Sequence, residues 1–129
     1  MSMERNIITM NESGNIIVPE NVACIWMSEP ELVELFGVIV STLHAAIKAV
    51  YKSGVLKEYE VQKYIRLENG YHADVFSFPI IVVLAFRINS FGAEQVRNAI
   101  FERLYLRKEK TTFFFSPGIH NLNMSNYQA

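Results

Sequence analysis

Cysteine is nearly missing from this chain: Cys24 is the only one in 129 residues, which excludes an internal disulfide. It sits in an apolar run, so it reads as a buried thiol rather than a nucleophile. The three histidines, His44, His72 and His120, lie far apart with no cysteine or carboxylate at ligand spacing, so no metal site is expected. There is no G-x-S-x-G, no phosphate-cradling glycine loop, no H-E-x-x-H and no paired acidic arrangement. The expectation is a binding protein with no catalytic residues and no cofactor. No basic stretch followed by an apolar run reads as a secretory signal, so a cytoplasmic location is expected. The longest apolar run, Phe78 to Phe86, contains a proline. A membrane span needs ~20 residues, so this run is expected to be a buried core helix, with no membrane partner. An excess of positive charge is also absent. Twelve Lys and Arg face thirteen Asp and Glu, for a net charge of −1, which argues against simple coating of DNA but not against a module with one basic face.

What is present is a folded composition, 50% apolar and 19% charged, at a length that fits one domain. Ile7-Ile8-Thr9 and Asn15-Ile16-Ile17-Val18 are β-prone and flank Glu12-Ser13-Gly14, which predicts a hairpin arm. Ala23 to Met27 continues extended into Ser28-Glu29-Pro30-Glu31, where serine caps a helix, proline suits the first turn and glutamate follows three residues on. The helix carries Leu32, Val33, Leu35 and Phe36 and stops at Gly37, because glycine tolerates the left-handed conformation of a helix end. Ser41 is the expected cap of the next helix, with Leu43, Ile47, Val50 and Tyr51 as its core stripe up to Ser53-Gly54. A short helix, a tight turn and a longer amphipathic helix form the helix-turn-helix pattern.

Two β-prone runs, Tyr59 to Leu67 and Tyr71 to Phe76, surround Glu68-Asn69-Gly70. Odd positions are mostly apolar on both sides: Tyr59, Val61, Ile65 and Leu67, then Tyr71, Ala73 and Val75. A two-residue Asn-Gly loop would scatter that set over both faces, whereas a three-residue loop with Gly70 left-handed pairs Leu67 with Tyr71 and Ile65 with Ala73. The even face, with Gln62, Tyr64, Arg66, His72 and Asp74, is then expected to be solvated. This hairpin is the candidate wing. Pro79 to Ile88 and Ala93 to Arg107 follow as helices joined by an Asn89-Ser90-Phe91-Gly92 loop. The second helix shows Val96, Ile100 and Leu104 at helical spacing. The expected class is α+β: a winged helix-turn-helix with an N-terminal β arm and two additional C-terminal helices over residues 1–110, then a Phe- and Asn-rich tail over 111–129. Three consecutive phenylalanines, Phe113 to Phe115, cannot all face one side of an element and should be covered, which predicts a homodimer.

The stretch from Trp26 to Leu104, including W-M-S-E-P-E-L-V-E-L-F-G-V, S-G-V-L-K-E and A-F-R-I-N-S-F-G-A-E-Q-V-R, resembles the N-terminal region of the virulence-associated RhuM family of bacteria. The resemblance implies a DNA-binding or regulatory protein of a mobile element and names no target. Family members typically continue into a further region that the tail here does not match, so a truncated member with altered or lost activity is the expectation beside it.

The candidate DNA-contacting residues are Ser41, Thr42, His44, Ala45 and Lys48 on the second helix, with Lys63, Tyr64 and Arg66 on the hairpin. The alternative is that they are ordinary solvent-facing residues. Arg87, Arg97 and Arg103 read as anchors that bond helix ends or carboxylates such as Glu94. Trp26 reads as core. Double-stranded DNA is the expected partner; the alternative is a winged-helix protein-interaction module without nucleic-acid binding, which the near-neutral charge favours.

Overall fold

The computed structural model describes residues 5–115, with side chains as far as Tyr105. The expectations for the Phe113 to Phe115 side chains and for the chain after them lie outside the described residues. The chain forms two compact units, Met1–Arg97 and Asn98–Ala129. The architecture is α+β.

The first unit opens with the expected arm, β1 (Thr9–Met10) antiparallel to β2 (Ile16–Ile17) with Thr9 opposite Ile17. Asn11 Oδ1 holds the turn by accepting the N–H groups of Ser13 and Asn15, each at 2.9 Å. A short 3-10 turn, Val22–Cys24, follows. The turn breaks the strand alternation that would bury the thiol, so Cys24 is exposed and Ile25 takes the buried place.

β3 (Trp26–Ser28) runs straight into α1 (Glu29–Phe36), which buries Leu32, Leu35 and Phe36. Ser28 stands at the cap, and its N–H donates to Glu31 Oε1 at 2.8 Å, the reciprocal half of a capping box. Gly37, Val38 and Ile39 then lead to α2 (Val40–Ser53), which leaves at 105° to α1. Leu43, Ile47 and Val50 form its buried stripe as the periodicity predicts. Ser41 does not cap this helix. The Ile39 carbonyl already accepts the N–H groups of Thr42 and Leu43, at 3.1 and 3.2 Å, so Ile39 is the cap residue and Ser41 lies inside the first turn.

The segment expected to start the next strand at Tyr59 instead closes one helical turn, α3 (Glu58–Val61). Glu58 and Glu60 favour it, since carboxylates are stabilised by the N–H dipoles of a first turn. Val61 is buried and Tyr59 exposed. β4 (Gln62–Arg66) and β5 (His72–Ser77) then pair antiparallel in the predicted register, Ile65 opposite Ala73 and Arg66 opposite His72. The loop closes through Leu67 N–H on Tyr71 O at 2.7 Å, with Gly70 at φ +93°. A side chain at that angle would be strained.

β3 adds to the other edge of β5, giving the order β3-β5-β4. Directly paired residues share a face. Met27, Phe76 and Gln62 therefore lie together on the even face, where Tyr51 OH of α2 donates to Gln62 Oε1 at 2.7 Å. The face expected to be solvated is thus the one that meets α2 at its base, and only its outer half, Tyr64, Arg66 and His72, is exposed. Trp26 falls on the opposite face and is half-buried rather than core.

α4 (Phe78–Arg87) buries Ile80, Ile81, Leu84 and Ala85 and leaves Pro79 and Phe86 exposed, so it is not covered all round. α5 (Phe91–Phe115) begins inside the segment expected to be a loop. Ser90 Oγ starts it, accepting the Ala93 N–H at 3.1 Å and donating to Phe36 O at 2.7 Å. A Cβ on Gly92 would lie 2.3 Å from the Leu35 carbonyl oxygen, so the first turn of α5 crosses the end of α1 in a contact that only glycine permits. Arg97 Nη1 donates to Ala85 O at 2.7 Å and Ile88 O at 3.1 Å, anchoring the end of α4 as expected of such an arginine. The expected stripe of α5 is buried at Val96 only. In the second unit Phe101, Leu104 and Tyr105 are exposed, because apolar spacing sets a face of the helix and not its burial. Among the described residues no single helix is long and apolar enough to cross a membrane; α1 and α2 reach that length only together, across the 105° break.

Candidate functional site

α2 contains no Asp or Glu and carries Lys48 and Lys52, in a chain whose net charge is −1. Ser41, Ala45, Lys48 and Lys52 recur at spacings of four, three and four, so they form one line opposite the buried stripe. Thr42 and His44 flank that line, and all six residues are exposed. The five sequence candidates on this helix are therefore brought together on its outer face.

Beside this face an open groove of about 910 Å³ separates α2 from the base of the hairpin. Ile47 and Phe76 line its floor although both are buried, and Lys48, Lys52, Glu29 and Glu58 bring charges of both signs. His44 Nε2 lies 2.9 Å from Glu29 Oε1, which ties the start of α1 to the second turn of α2. Tyr51 bonds Gln62 across the groove. Burial, with the nearby charges of Glu58 and Asp74, pushes the Tyr51 phenol up to about 12, so it stays a proton donor at neutral pH.

On the hairpin, Tyr64 and Arg66 alternate with Gln62 and so share the groove side of the sheet; both are exposed. The Tyr64 ring stacks on His72 with centroids 5.6 Å apart and planes 21° from parallel. Lys63 is carried to the other face, where its Nζ sits 4.5 Å from the centre of the Trp26 ring. The structure thus groups Tyr64 and Arg66 with α2 and takes Lys63 away.

Arg5 escaped the sequence reading. Its side chain is 5% exposed, and its guanidinium makes two bonds to the Glu31 carboxylate, at 2.8 and 3.1 Å, and two to that of Glu68, at 3.1 and 2.9 Å. A fifth bond, at 2.7 Å, goes to Trp26 O. The hairpin loop is thereby pinned to the first turn of α1. Burial opposes ionisation of Glu31, but hydrogen bonds from Arg5 and the Ser28 N–H outweigh it and hold the carboxyl below its ordinary range. The bond from Arg5 lowers Glu68 likewise. Glu31 and Glu68 lie 26 and 63 positions from Arg5, so no local spacing points to it. Tyr51 was legible only as a core-stripe residue, whereas Lys52, one turn after Lys48, was legible as part of a basic face.

Among the described residues no group of three or more His, Cys, Asp or Glu is placed to hold a metal ion. No family model, curated protein or solved structure matches the chain.

Proposed function

We propose that the protein is a DNA-binding regulator, a winged helix-turn-helix that sets α2 in the major groove of duplex DNA with the β4–β5 hairpin beside it as the wing. The observation that carries this reading is the outer face of α2: acid-free, lysine-bearing and uncovered. Its support is the 105° departure of α2 from α1 over a three-residue turn, within the ~90–120° of helix-turn-helix pairs. Ser41 and Thr42 offer hydroxyls to phosphates, and Lys48 reaches guanine or the backbone. Tyr64 and Arg66 contact phosphate or minor groove from the wing. Lys63, over Trp26, adds to the general field only. The protein acts without catalysis, in the cytoplasm, as a homodimer reading two half-sites, since one helix spans too few base pairs for useful specificity. The proposal extends to regulation of a mobile element on the sequence resemblance to the RhuM family alone.

The test is selection of bound sequences from random duplex DNA. Thr42→Ala and Lys48→Ala should each weaken the selected complex with the fold intact, and Lys48→Ala should reduce the salt slope by about one unit. Full affinity in both variants removes α2 from the interface. The second reading, a protein-interaction module, draws on Glu29 and Glu58 lining the same groove as Lys48 and Lys52, charges of both signs that suit a peptide of mixed charge. A folded protein that binds no duplex at low salt selects that reading.

A further inference from the structure

The major groove is read by a small code: Arg or Lys to guanine, Asn or Gln to adenine, Asp or Glu to cytosine, and apolar contact to the 5-methyl group of thymine. α2 holds no Arg, Asn, Gln, Asp or Glu. Of its remaining strong hydrogen-bonding side chains, His44 already faces Glu29 at 2.9 Å and Tyr51 donates to Gln62. Lys48 and Lys52 lie in the middle and last turns. The leading end of the helix is aliphatic and uncovered, with Ile39 69% and Val40 49% exposed, followed on the outer face by Ala45 and the methyl group of Thr42.

Folding alone does not account for these side chains. Ile39 occupies the cap position at φ −82°, ψ 161° with no side-chain cap bond. Serine or aspartate there would satisfy an orphan N–H, and isoleucine forgoes that while leaving its own surface in water. The occupant of this aliphatic tip is constrained by the helix that carries it, since α2 bears Lys48 and Lys52 and no Asp or Glu of its own, Glu29 and Glu58 being held on α1 and α3 beside it, and a helix of one positive sign suits a polyanion rather than an apolar protein surface.

We infer that the protein selects its DNA sites chiefly through thymine 5-methyl groups, met by Ile39, Val40, Thr42 and Ala45, with Lys48 and Lys52 supplying affinity that is indifferent to sequence. This rests on the DNA-binding reading above. One methyl group buried against an aliphatic side chain is worth roughly fourfold in affinity, so two contacts give roughly tenfold or more.

The duplexes enriched from a random pool by the full chain are resynthesised with deoxyuridine in place of thymidine, which deletes the methyl group and leaves the pairing intact. Binding is measured by fluorescence anisotropy at about physiological salt. The uracil duplexes should bind roughly tenfold or more weakly with an unchanged salt slope. Ile39→Ser should raise the Tm through a restored cap while lowering the thymine-to-uracil ratio, a pairing of effects that a purely structural isoleucine would not produce. Val40→Ser should lower the same ratio. Equal affinity for the two duplexes, or full discrimination kept by both serine variants, overturns the inference and leaves DNA binding standing. A chain that binds no duplex at all overturns both.

Discussion

Two helices of this protein, α1 and α4, leave neighbouring strands through the same local pattern of serine, any residue and proline: Ser28-Glu29-Pro30 after β3 and Ser77-Phe78-Pro79 after β5. Their cap residues have almost the same backbone, φ −80°, ψ 170° at Ser28 and φ −83°, ψ 172° at Ser77. The third helical position separates them. At α1 it is Glu31, which bonds the Ser28 N–H and draws in Arg5 and, through it, Glu68 of the hairpin loop. At α4 it is Ile80, fully buried, and Ser77 Oγ is left buried without a hydrogen-bond partner. Serine and proline are enough to set the backbone of a strand-to-helix junction; the residue after them decides whether it becomes a polar node or part of the core. The far ends differ as well, since α5 meets α1 backbone to backbone at Gly92 and holds α4 through the Arg97 side chain.

The largest effect that would sharpen this contrast is expected at the far end of α1. Gly92→Ala sets a methyl group against the Leu35 carbonyl, neither of which yields cheaply, and should lower stability by about 3 kcal/mol or more in denaturant titration. An unchanged midpoint would mean that α1 and α5 do not approach so closely.

Next comes Arg5→Ala, which strands the part-buried Glu31 and frees the hairpin loop, at a cost of about 2 kcal/mol, below the fully buried range because Glu68 is well exposed. It carries a pH signature. Glu31 and Glu68 have folded-state pKa values below the ordinary ones, so their contribution is complete above the unfolded value of about 4.3 and is lost as pH falls through the folded values. The variant should accordingly lose less stability between neutral and acid pH than the parent chain. Parallel acid limbs would break the claim that the node is electrostatic.

Smaller again is Ser28→Ala, expected to cost about 1 kcal/mol through loss of the cap. The matching Ser77→Ala removes a buried hydroxyl with no partner and should be neutral or stabilising by up to about 1 kcal/mol. Calorimetry on the two alanine variants compares the junctions directly. Equal losses would show that the capping box adds nothing at α1.

Much of this was legible in the residues themselves. The stripe of Leu43, Ile47 and Val50 placed Ser41, Thr42, His44, Ala45 and Lys48 on the outer face of a helix before any coordinate, because a period of 3.6 leaves no other arrangement. Glu68-Asn69-Gly70 determined the hairpin register through one left-handed glycine, since a slip of one residue would have flipped every side chain. Such signals act within a few positions of their cause. Tertiary structure alone decided which face of the hairpin meets α2, and so why Lys63 covers Trp26 while Tyr64 and Arg66 share the groove side. It also decided that Glu58–Val61 coils, that Cys24 faces water and that one arginine near the start of the chain binds carboxylates 26 and 63 positions on. Period and turn chemistry determine where a side chain points along its own element. What it meets there depends on closing the loops between elements, and that free energy belongs to the whole fold rather than to any window of the sequence.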